Sequence, residues 1–310
     1  MPRAEATAAG TSAPVTRVRE VIFLGSGTSA CIPVVPCITS NYEKCKACKL
    51  SLTPEGSKNR RRNTSLLVRI DHADGSERNV VIDCGKTFLE SATEVFVKHD
   101  VKSIDAVLLT HGHADAIFGL DDLRQWTSSF GVSIPIYCDK ETLNVVSRTF
   151  PYLVDTRYAT GSGLVTQLDF HTIDSSFAPF ECQGIEFQPL RVEHGTCSDG
   201  SPFYFTGFRF DDVTYLSDVS RIPNEARLLI EGSRLLIIDA LKWTSFSSHF
   251  GYWDALDEVR RFRPQRAIFT DISHHMLHSE LEMQAMNILA EEGLIADPAY
   301  DGMVVPIVWR

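Results

Sequence analysis

Short apolar runs alternate with amphipathic stretches along most of the chain. Runs rich in valine, isoleucine, leucine and phenylalanine predict β-strands at residues 21–24, 66–70, 79–82, 106–109, 135–138, 168–173, 185–192, 203–210, 213–216, 235–240, 266–270 and 304–308. Apolar positions spaced by three and four predict helices at residues 88–99, 116–130, 252–262 and 280–291, and another that begins near Lys140. Strands that alternate with helices in this way predict an α/β fold.

The pattern continues without a long polar break from residue 21 to the end of the sequence. With 310 residues, 44% of them hydrophobic, the chain is long enough to bury a large core. We therefore predict a single domain over residues 17–310. Residues 1–16 are rich in alanine, threonine, proline and serine and contain no aromatic residue, which predicts a disordered N-terminal tail.

Charge and hydropathy limit the classes of partner. The formal net charge of -10 disfavours a general nucleic-acid surface, because binding to phosphate backbones depends on clustered lysine and arginine. No apolar run approaches the roughly 20 residues that cross a bilayer, and the N-terminus lacks the apolar core of a signal peptide. We therefore expect a cytoplasmic protein without membrane association. Its eight cysteines then predict reduced thiols or metal ligands before disulfides.

A candidate metal-binding pattern follows the strand at residues 106–109. His111, His113 and Asp115 recur at every second position, so extended backbone would turn all three side chains to one side. Imidazole and carboxylate together suit zinc, manganese or iron. Two histidines near a strand end are also compatible with ordinary solvated loop residues, so the short pattern alone does not decide between the two interpretations.

Other potential ligands also stand at strand ends or in a cysteine-rich loop. Single acidic or histidine residues follow predicted strands at Asp83, His194, Asp218 and Asp271, and Asp218 is also compatible with a turn or N-cap role. Cys45 and Cys48 form a CxxC pair, a spacing that tetrahedral zinc accepts. Redox chemistry is the alternative for this pair, although the loop lacks the βαβ setting of a thioredoxin motif.

In this order the motifs resemble those of the metallo-β-lactamase superfamily. Asp83-Cys84-Gly85 is similar to its first motif, the HxHxD run to its second, His194 to its third and Asp218 to its fourth. The resemblance implies an αβ/βα sandwich, in which two mixed β-sheets pack face to face with helices on the outside. It also implies a metal held by His111, His113, His194 and Asp218, with Asp83 fixing which imidazole nitrogen faces the ion.

Within that superfamily the chain resembles the phosphoribosyl cyclic phosphate phosphodiesterases of phosphonate degradation and their eukaryotic relatives. The resemblance is carried by GSGTSACIP with the cysteine cluster, the RRNTS run, ISH near residue 274 and YDGM at residues 300–303. It implies a structural zinc ion bound by three thiolates and one imidazole, from Cys37, Cys45, Cys48 and His274. Such a closed tetrahedral site would fasten the N-terminal loop to the last part of the fold.

Two positions depart from the superfamily pattern. Ala116 and Asp271 stand where histidines would bind the second metal of a pair, which leaves Asp115, Asp218, Asp271 and His278 as donors. We therefore expect one firmly bound catalytic ion, zinc or manganese, and a second site that is weak or absent.

The activity implied by the resemblance is hydrolysis of a small, cyclic phosphodiester through a metal-activated water. Asp115 would orient the water or accept its proton, and His249 would protonate the leaving group. Arg62 and Arg124 would hold the substrate phosphate. An RNA-processing nuclease of the same superfamily and a non-catalytic zinc-binding descendant are the alternatives, and a homodimer is left open.

Overall fold

The computed structural model describes residues 15–40, 45–160 and 166–308. Most of the predicted disordered tail, residues 1–14, lies outside these ranges. Within the described residues, fourteen strands form two seven-stranded sheets. Both sheets are mixed and carry helices on their outer faces, which confirms the predicted αβ/βα sandwich.

The first sheet has the strand order β14-β1-β2-β3-β4-β5-β6. Strands β14 to β3 pair antiparallel, and β3 to β6 pair parallel. Its strands are β1 Arg17–Gly25, β2 Ser65–Asp71, β3 Glu77–Ile82, β4 Ala106–Leu108, β5 Ile134–Cys138, β6 Leu168–Thr172 and β14 Val304–Pro306.

The second sheet has the order β13-β12-β11-β10-β9-β8-β7. Here β7 to β10 pair antiparallel, and β10 to β13 pair parallel. Its strands are β7 Phe180–Cys182, β8 Ile185–Thr196, β9 Pro202–Phe210, β10 Val213–Leu216, β11 Leu235–Asp239, β12 Arg266–Thr270 and β13 Ala296–Pro298.

The helices lie in the connections between strands. They are α1 Val35–Thr39, α2 Lys46–Leu50, α3 Phe88–His99, α4 Ala114–Ile117, α5 Arg124–Phe130, α6 Lys140–Thr149, α7 Pro151–Val154, α8 Asn224–Ile230, α9 Tyr252–Phe262 and α10 His278–Glu292, with short 3-10 helices at Ser57–Asn59, Leu120–Leu123 and Thr156–Tyr158. In the described part of the chain, no helix combines the length and apolar character needed to cross a membrane.

Three apolar clusters hold the layers together. The cluster between the sheets contains Phe23, Phe208 and Tyr215, all fully buried. A second cluster packs α9 and α10 against the second sheet, and a third packs α3 against the first sheet. Because full burial of one such side chain stabilises a fold by about 1.5–3 kcal/mol, these clusters supply the main force that keeps the sheets face to face.

The prediction of one continuous helix at residues 116–130 is wrong. The structure has α4, a 3-10 helix and α5 in this segment. The break falls at Gly119, whose N–H donates to the carbonyl of Cys84 at 2.8 Å. That bond draws the backbone against the end of β3, where a side chain at residue 119 would collide with Phe88. The helices predicted at residues 88–99 and 252–262 match α3 and α9.

Strand ends from both sheets meet at one edge of the sandwich. Parallel β3 and β4 lead into Asp83 and His111, while parallel β10, β11 and β12 lead to Asp218, Asp239 and Asp271. The Thr206 N–H donates to the Thr110 carbonyl at 2.9 Å and joins the two sheets there. This edge is therefore where distant polar residues can share one site.

Gly85 provides a test of how tightly that edge is packed. A Cβ at Gly85 would collide with the backbone carbonyl of Asp115, whereas a Cβ at Gly75 would meet nothing within 4 Å despite its φ of +85°. We expect Gly85→Ala to lower the free energy of unfolding by roughly 3 kcal/mol because backbone must move. Gly75→Ala should cost only about 1 kcal/mol of backbone strain. Equal urea midpoints for the two variants would contradict this packing argument.

Candidate metal centre

Three histidines converge at the shared edge. The ligand atoms of His111, His113 and His194 all lie within 4.8 Å of one another. Their ring centroids are separated by 4.6 Å between His111 and His113, and by 5.4 Å from His194 to each of them. His194 lies inside β8, which extends past the predicted end of the strand at residue 192. The structure thus brings together the three predicted imidazole ligands.

The hydrogen bonds of His111 define which of its nitrogens is available. The Thr110 hydroxyl donates to Asp83 at 2.8 Å and lies 2.9 Å from His111 Nδ1, which is therefore the protonated nitrogen. His111 Nε2 is buried and has no hydrogen-bond partner. A buried polar atom without a partner is costly, and a divalent ion is the ligand that would satisfy a deprotonated Nε2.

Asp83 acts on the cluster through Thr110 rather than by direct contact with an imidazole. Its Oδ1 accepts from both the N–H and the hydroxyl of Thr110 at 2.9 Å. Burial raises the pKa of Asp83 well above its usual range, and the Thr110 hydrogen bonds oppose that shift. The orientation of His111 therefore depends on a chain of hydrogen bonds that begins at the end of β3.

His194 and Asp218 complete the cluster from the second sheet. His194 Nδ1 donates to the Ser248 carbonyl at 2.8 Å, which leaves Nε2 to face the other imidazoles. Asp218 shares a group with His194 and His249 in which the ligand atoms lie within 4.8 Å of one another. Burial alone would raise the pKa of Asp218, but the neighbouring histidines outweigh it and the net shift is downward. Asp218 is therefore suited to bind a cation as a carboxylate.

Asp115 lies beside the cluster but outside its ligand groups. Burial and the charge of Asp218 raise the pKa of its carboxyl group. Among the described residues, it is not part of any group of three ligand atoms within 4.8 Å. A role for Asp115 as a ligand or base stays a prediction.

The Nδ1 atom of His249 faces two buried carboxylates. Its Nδ1 lies 2.8 Å from Asp239 Oδ2 and 3.1 Å from Asp271 Oδ2. With Nδ1 occupied, Nε2 is the nitrogen left to face His194, whose ring centroid is 4.7 Å away. Burial lowers the pKa of His249, but the Asp239 and Asp271 carboxylates more than offset this and raise it to about 12.

Asp271 was predicted as a metal ligand, and its ligand atom lies within 4.8 Å of those of Asp239 and His249, a group that could hold a metal ion but does not include His111 or His113. Its carboxylate pairs with His249 and accepts from the Thr64 hydroxyl at 3.4 Å, so it is not grouped with His111 and His113. Asp239 was not predicted from the sequence as a site residue. It is the last residue of the apolar strand β11, and Asp83 and Asp218 lie just beyond the ends of apolar strands. That shared position was the signal that could have identified it.

The two arginines predicted to hold substrate lie in ion pairs instead. Arg62 is buried and pairs with Glu90 at 3.2 Å, with Glu94 and, at 3.8 Å, with Asp301. Arg124 is exposed and pairs with Asp121. Neither guanidinium is paired with a residue of the histidine cluster among the described contacts. His278 likewise contacts Arg61, at 3.0 Å, rather than the cluster.

The second predicted metal site is assembled from the N-terminal loop and the segment after β12. Ligand atoms of Cys37, Cys45, Cys48 and His274 all lie within 4.8 Å of one another. His274 Nδ1 is 3.2 Å from Cys45 Sγ and 3.5 Å from Cys37 Sγ. Tetrahedral zinc, with bonds near 2.3 Å to sulfur and 2.0 Å to nitrogen, requires such separations to be about 3.6 Å. These four residues therefore fit a structural zinc ion.

The cysteine site gives a testable prediction. Burial raises the pKa of Cys48 to about 12, so its thiolate needs a cation to persist at neutral pH. We expect Cys48→Ser to lose one equivalent of zinc and to unfold at a lower temperature, as judged by metal analysis and thermal melting. The exposed Cys197 supplies the control, since Cys197→Ser should change neither quantity. Full zinc retention in Cys48→Ser would show that the thiol is not a ligand.

Several solved structures share this architecture. A diphosphatase of the PhnP family is 28% identical, with a TM-score of 0.72, over 92% of this chain and 96% of that one. Zinc-bound PqqB from Methylobacterium extorquens is 18% identical, with a TM-score of 0.69, over 92% and 99% of the two chains. The short form of human tRNase Z is also 18% identical, with a TM-score of 0.62, over 94% and 100%. At 18% identity the last two likenesses show the fold alone.

Sequence comparison identifies the family. An octanoyltransferase of Porphyromonas gingivalis is 29% identical over 261 residues, which cover 84% of this chain and 47% of that protein. The chain thus spans about half the length of this curated relative, whose name describes the whole protein. The family described as the beta-lactamase superfamily domain matches residues 78–272, more than half of the chain. The chain therefore belongs to the metallo-β-lactamase superfamily, a superfamily of hydrolases.

Proposed function

We propose that this protein is a metal-dependent phosphodiesterase of the cytoplasm that hydrolyses a small, cyclic phosphodiester. The observation that carries the proposal is the position of His249, with Nδ1 fixed by two carboxylates and Nε2 directed toward a cluster of imidazoles. A proton donor beside a cation site is the arrangement that cleavage of a phosphodiester requires. The 28% identity to a PhnP-family diphosphatase supports hydrolysis at a phosphoryl group.

The histidine cluster would hold the catalytic ion. His111, His113 and His194 provide imidazoles, and Asp218 provides a carboxylate, a donor set that suits zinc or manganese. When bound, such an ion supplies Lewis-acid charge that polarises a phosphoryl oxygen and acidifies water. Burial lowers the pKa of His111 to about 3, so its imidazole stays neutral and available as a ligand at physiological pH.

Two residues of the chain would move protons. Asp115 has a raised pKa next to the cluster, which makes its carboxylate a better proton acceptor for the attacking water. His249 would donate a proton to the leaving alkoxide from Nε2. Asp239 and Asp271 keep the imidazole charged and oriented for that transfer.

The charge of the chain favours a small substrate over RNA. At a net charge of -10, a long polyanion would be repelled unless a separate basic surface compensated. The likeness to human tRNase Z therefore does not by itself favour an RNA substrate. A survey of metal-loaded protein against cyclic nucleotides and a precursor RNA would separate these functions, and inactivity on both would favour a non-catalytic role.

The number of catalytic ions gives a further prediction. We expect the purified protein to bind two equivalents of metal, one at the cysteine site and one at the histidine cluster, because Ala116 and Asp271 remove two imidazoles. Restoring them in Ala116→His/Asp271→His should add a third equivalent. Ala116→Ser/Asp271→Asn alters the same positions without adding imidazoles and is the control. Three equivalents in the unaltered protein would show that the second catalytic site is intact.

The role of His249 predicts a dependence on the leaving group. We expect His249→Ala to lower kcat by roughly 10²-fold or more on a 2′,3′-cyclic nucleotide, whose leaving alkoxide needs a proton. The loss should be much smaller on bis(p-nitrophenyl) phosphate, whose phenolate leaves unprotonated. The exposed His171 offers a matched control, and His171→Ala should leave both rates unchanged. Equal losses on the two substrates would argue against proton donation by His249.

A further inference from the structure

The histidines of the metal centre differ in how their rings are held. The Nδ1 atom of His111 lies 2.9 Å from the Thr110 hydroxyl, and that of His194 lies 2.8 Å from the Ser248 carbonyl. His113 is exposed, and neither of its ring nitrogens has a hydrogen-bond partner within residues 15–40, 45–160 and 166–308. A ligating imidazole is ordinarily oriented by a hydrogen bond from its second nitrogen. Another kind of contact is therefore needed to orient the ring of His113.

The half-buried ring of Phe203 provides such a contact. It stacks on the imidazole of His113 with centroids 5.1 Å apart and an interplanar angle of 16°. The contacts of His113 with His111 and His194 are edge-on, at interplanar angles of 83° and 65°. Aromatic rings with centroids roughly 4.5–7 Å apart attract each other in an offset stack. The flat face of Phe203 therefore favours one orientation of the imidazole, which an aliphatic side chain could not do.

Strand β9 places this ring in register with the ligand loop. The Thr206 N–H donates to the Thr110 carbonyl at 2.9 Å, and the ring centroid of Phe205 lies 5.5 Å from that of His111. The stacked pair continues the same antiparallel order, because it lies three residues earlier on β9 than Thr206 and three residues later in the loop than Thr110. The stacking ring is therefore held by a sheet whose backbone is already bonded to the ligand loop.

The hairpin of β8 and β9 carries both a ligand and this stacking ring. Its turn is closed by the Cys197 N–H, which donates to the Ser201 carbonyl at 2.8 Å. His194 lies on β8, and its ring centroid is 5.8 Å from that of Phe203 near the beginning of β9. One hairpin of the second sheet thus supplies one imidazole to the metal centre and the surface on which an imidazole from the first sheet packs.

We propose that Phe203 is a positioning residue of the metal centre, which keeps His113 in the rotamer that binds the catalytic ion. A histidine without such a contact distributes among about six rotamers, from three χ1 wells and two ring orientations. If one of these binds the ion, the apparent affinity falls in proportion to its population, so the stack contributes up to about sixfold. The assignment rests on cation binding at the histidine cluster, which the proposed function also requires, and is independent of the reaction.

Titration with cobalt(II) measures this contribution. Protein that retains one equivalent of zinc at the cysteine site is titrated, so that the visible absorption of cobalt reports the histidine cluster. We expect Phe203→Leu and Phe203→Met to weaken cobalt binding about threefold to sixfold, and Phe203→Tyr, which keeps the flat ring, to retain it. Unchanged zinc content and thermal midpoint show that each variant is folded.

Phe246 offers a matched control. Its exposed ring lies 6.4 Å from that of His249, whose Nδ1 atom already faces two carboxylates. Phe246→Leu makes the same chemical change as Phe203→Leu and should leave the cobalt affinity unaltered.

A double-mutant cycle with His113→Ala shows whether the effect passes through this imidazole. In that background Phe203→Leu should change the cobalt affinity by less than about twofold, because no ring is left to orient. An equal loss in both backgrounds, an unchanged affinity of the single variant, or a loss in Phe203→Tyr as large as that in Phe203→Leu would overturn the assignment. Absence of cobalt binding at the cluster of the unaltered protein would overturn it together with the proposed function. If cobalt binding depends on Phe203 as expected while no phosphodiester is hydrolysed, the phosphodiesterase function fails and the role of Phe203 stands.

Discussion

The site depends on one threonine, because Thr110 makes three connections at once. Its carbonyl accepts the Thr206 N–H that joins the two sheets, and its N–H and hydroxyl both donate to the buried carboxylate of Asp83. The same hydroxyl accepts the Nδ1 proton of His111. A single residue therefore connects the two sheets, the end of β3 and the orientation of His111.

Burial then determines the protonation of the cluster. The ligand atoms of three imidazoles lie within 4.8 Å of one another. The three rings cannot all be charged, because like charges at that separation repel strongly in a dehydrated site. Burial lowers the pKa of His111 to about 3 and also lowers that of His194. The buried Nε2 of His111 has no hydrogen-bond partner in the protein, and a bound cation is the group that would satisfy it.

Local sequence patterns predicted the ligands better than they predicted the connections between them. The spacing of His111 and His113 after an apolar strand made them candidates, and the resemblance to a known family decided for them and also indicated Cys37, Cys45, Cys48 and His274, which the structure brings together. The break at Gly119 could not be predicted, since it depends on a bond to Cys84 from a different part of the chain. The same holds for Asp271, whose pairing with His249 depends on how two strand ends meet and not on either segment alone.

The pairing of Asp271 also gives a physical reason to expect a single catalytic ion. Burial raises the pKa of Asp239 to about 7 and that of Asp271 well above its usual range, while both carboxylates stabilise a charged His249 between them. His249 therefore keeps its proton at neutral pH, with Asp239 and Asp271 as its partners. A second divalent ion at this place would have to approach a protonated imidazole, and Ala116 offers no donor to compensate for that repulsion. A positive charge carried by His249 and a second metal ion are thus two alternative ways to neutralise Asp239 and Asp271, whose ligand atoms lie within 4.8 Å of that of His249.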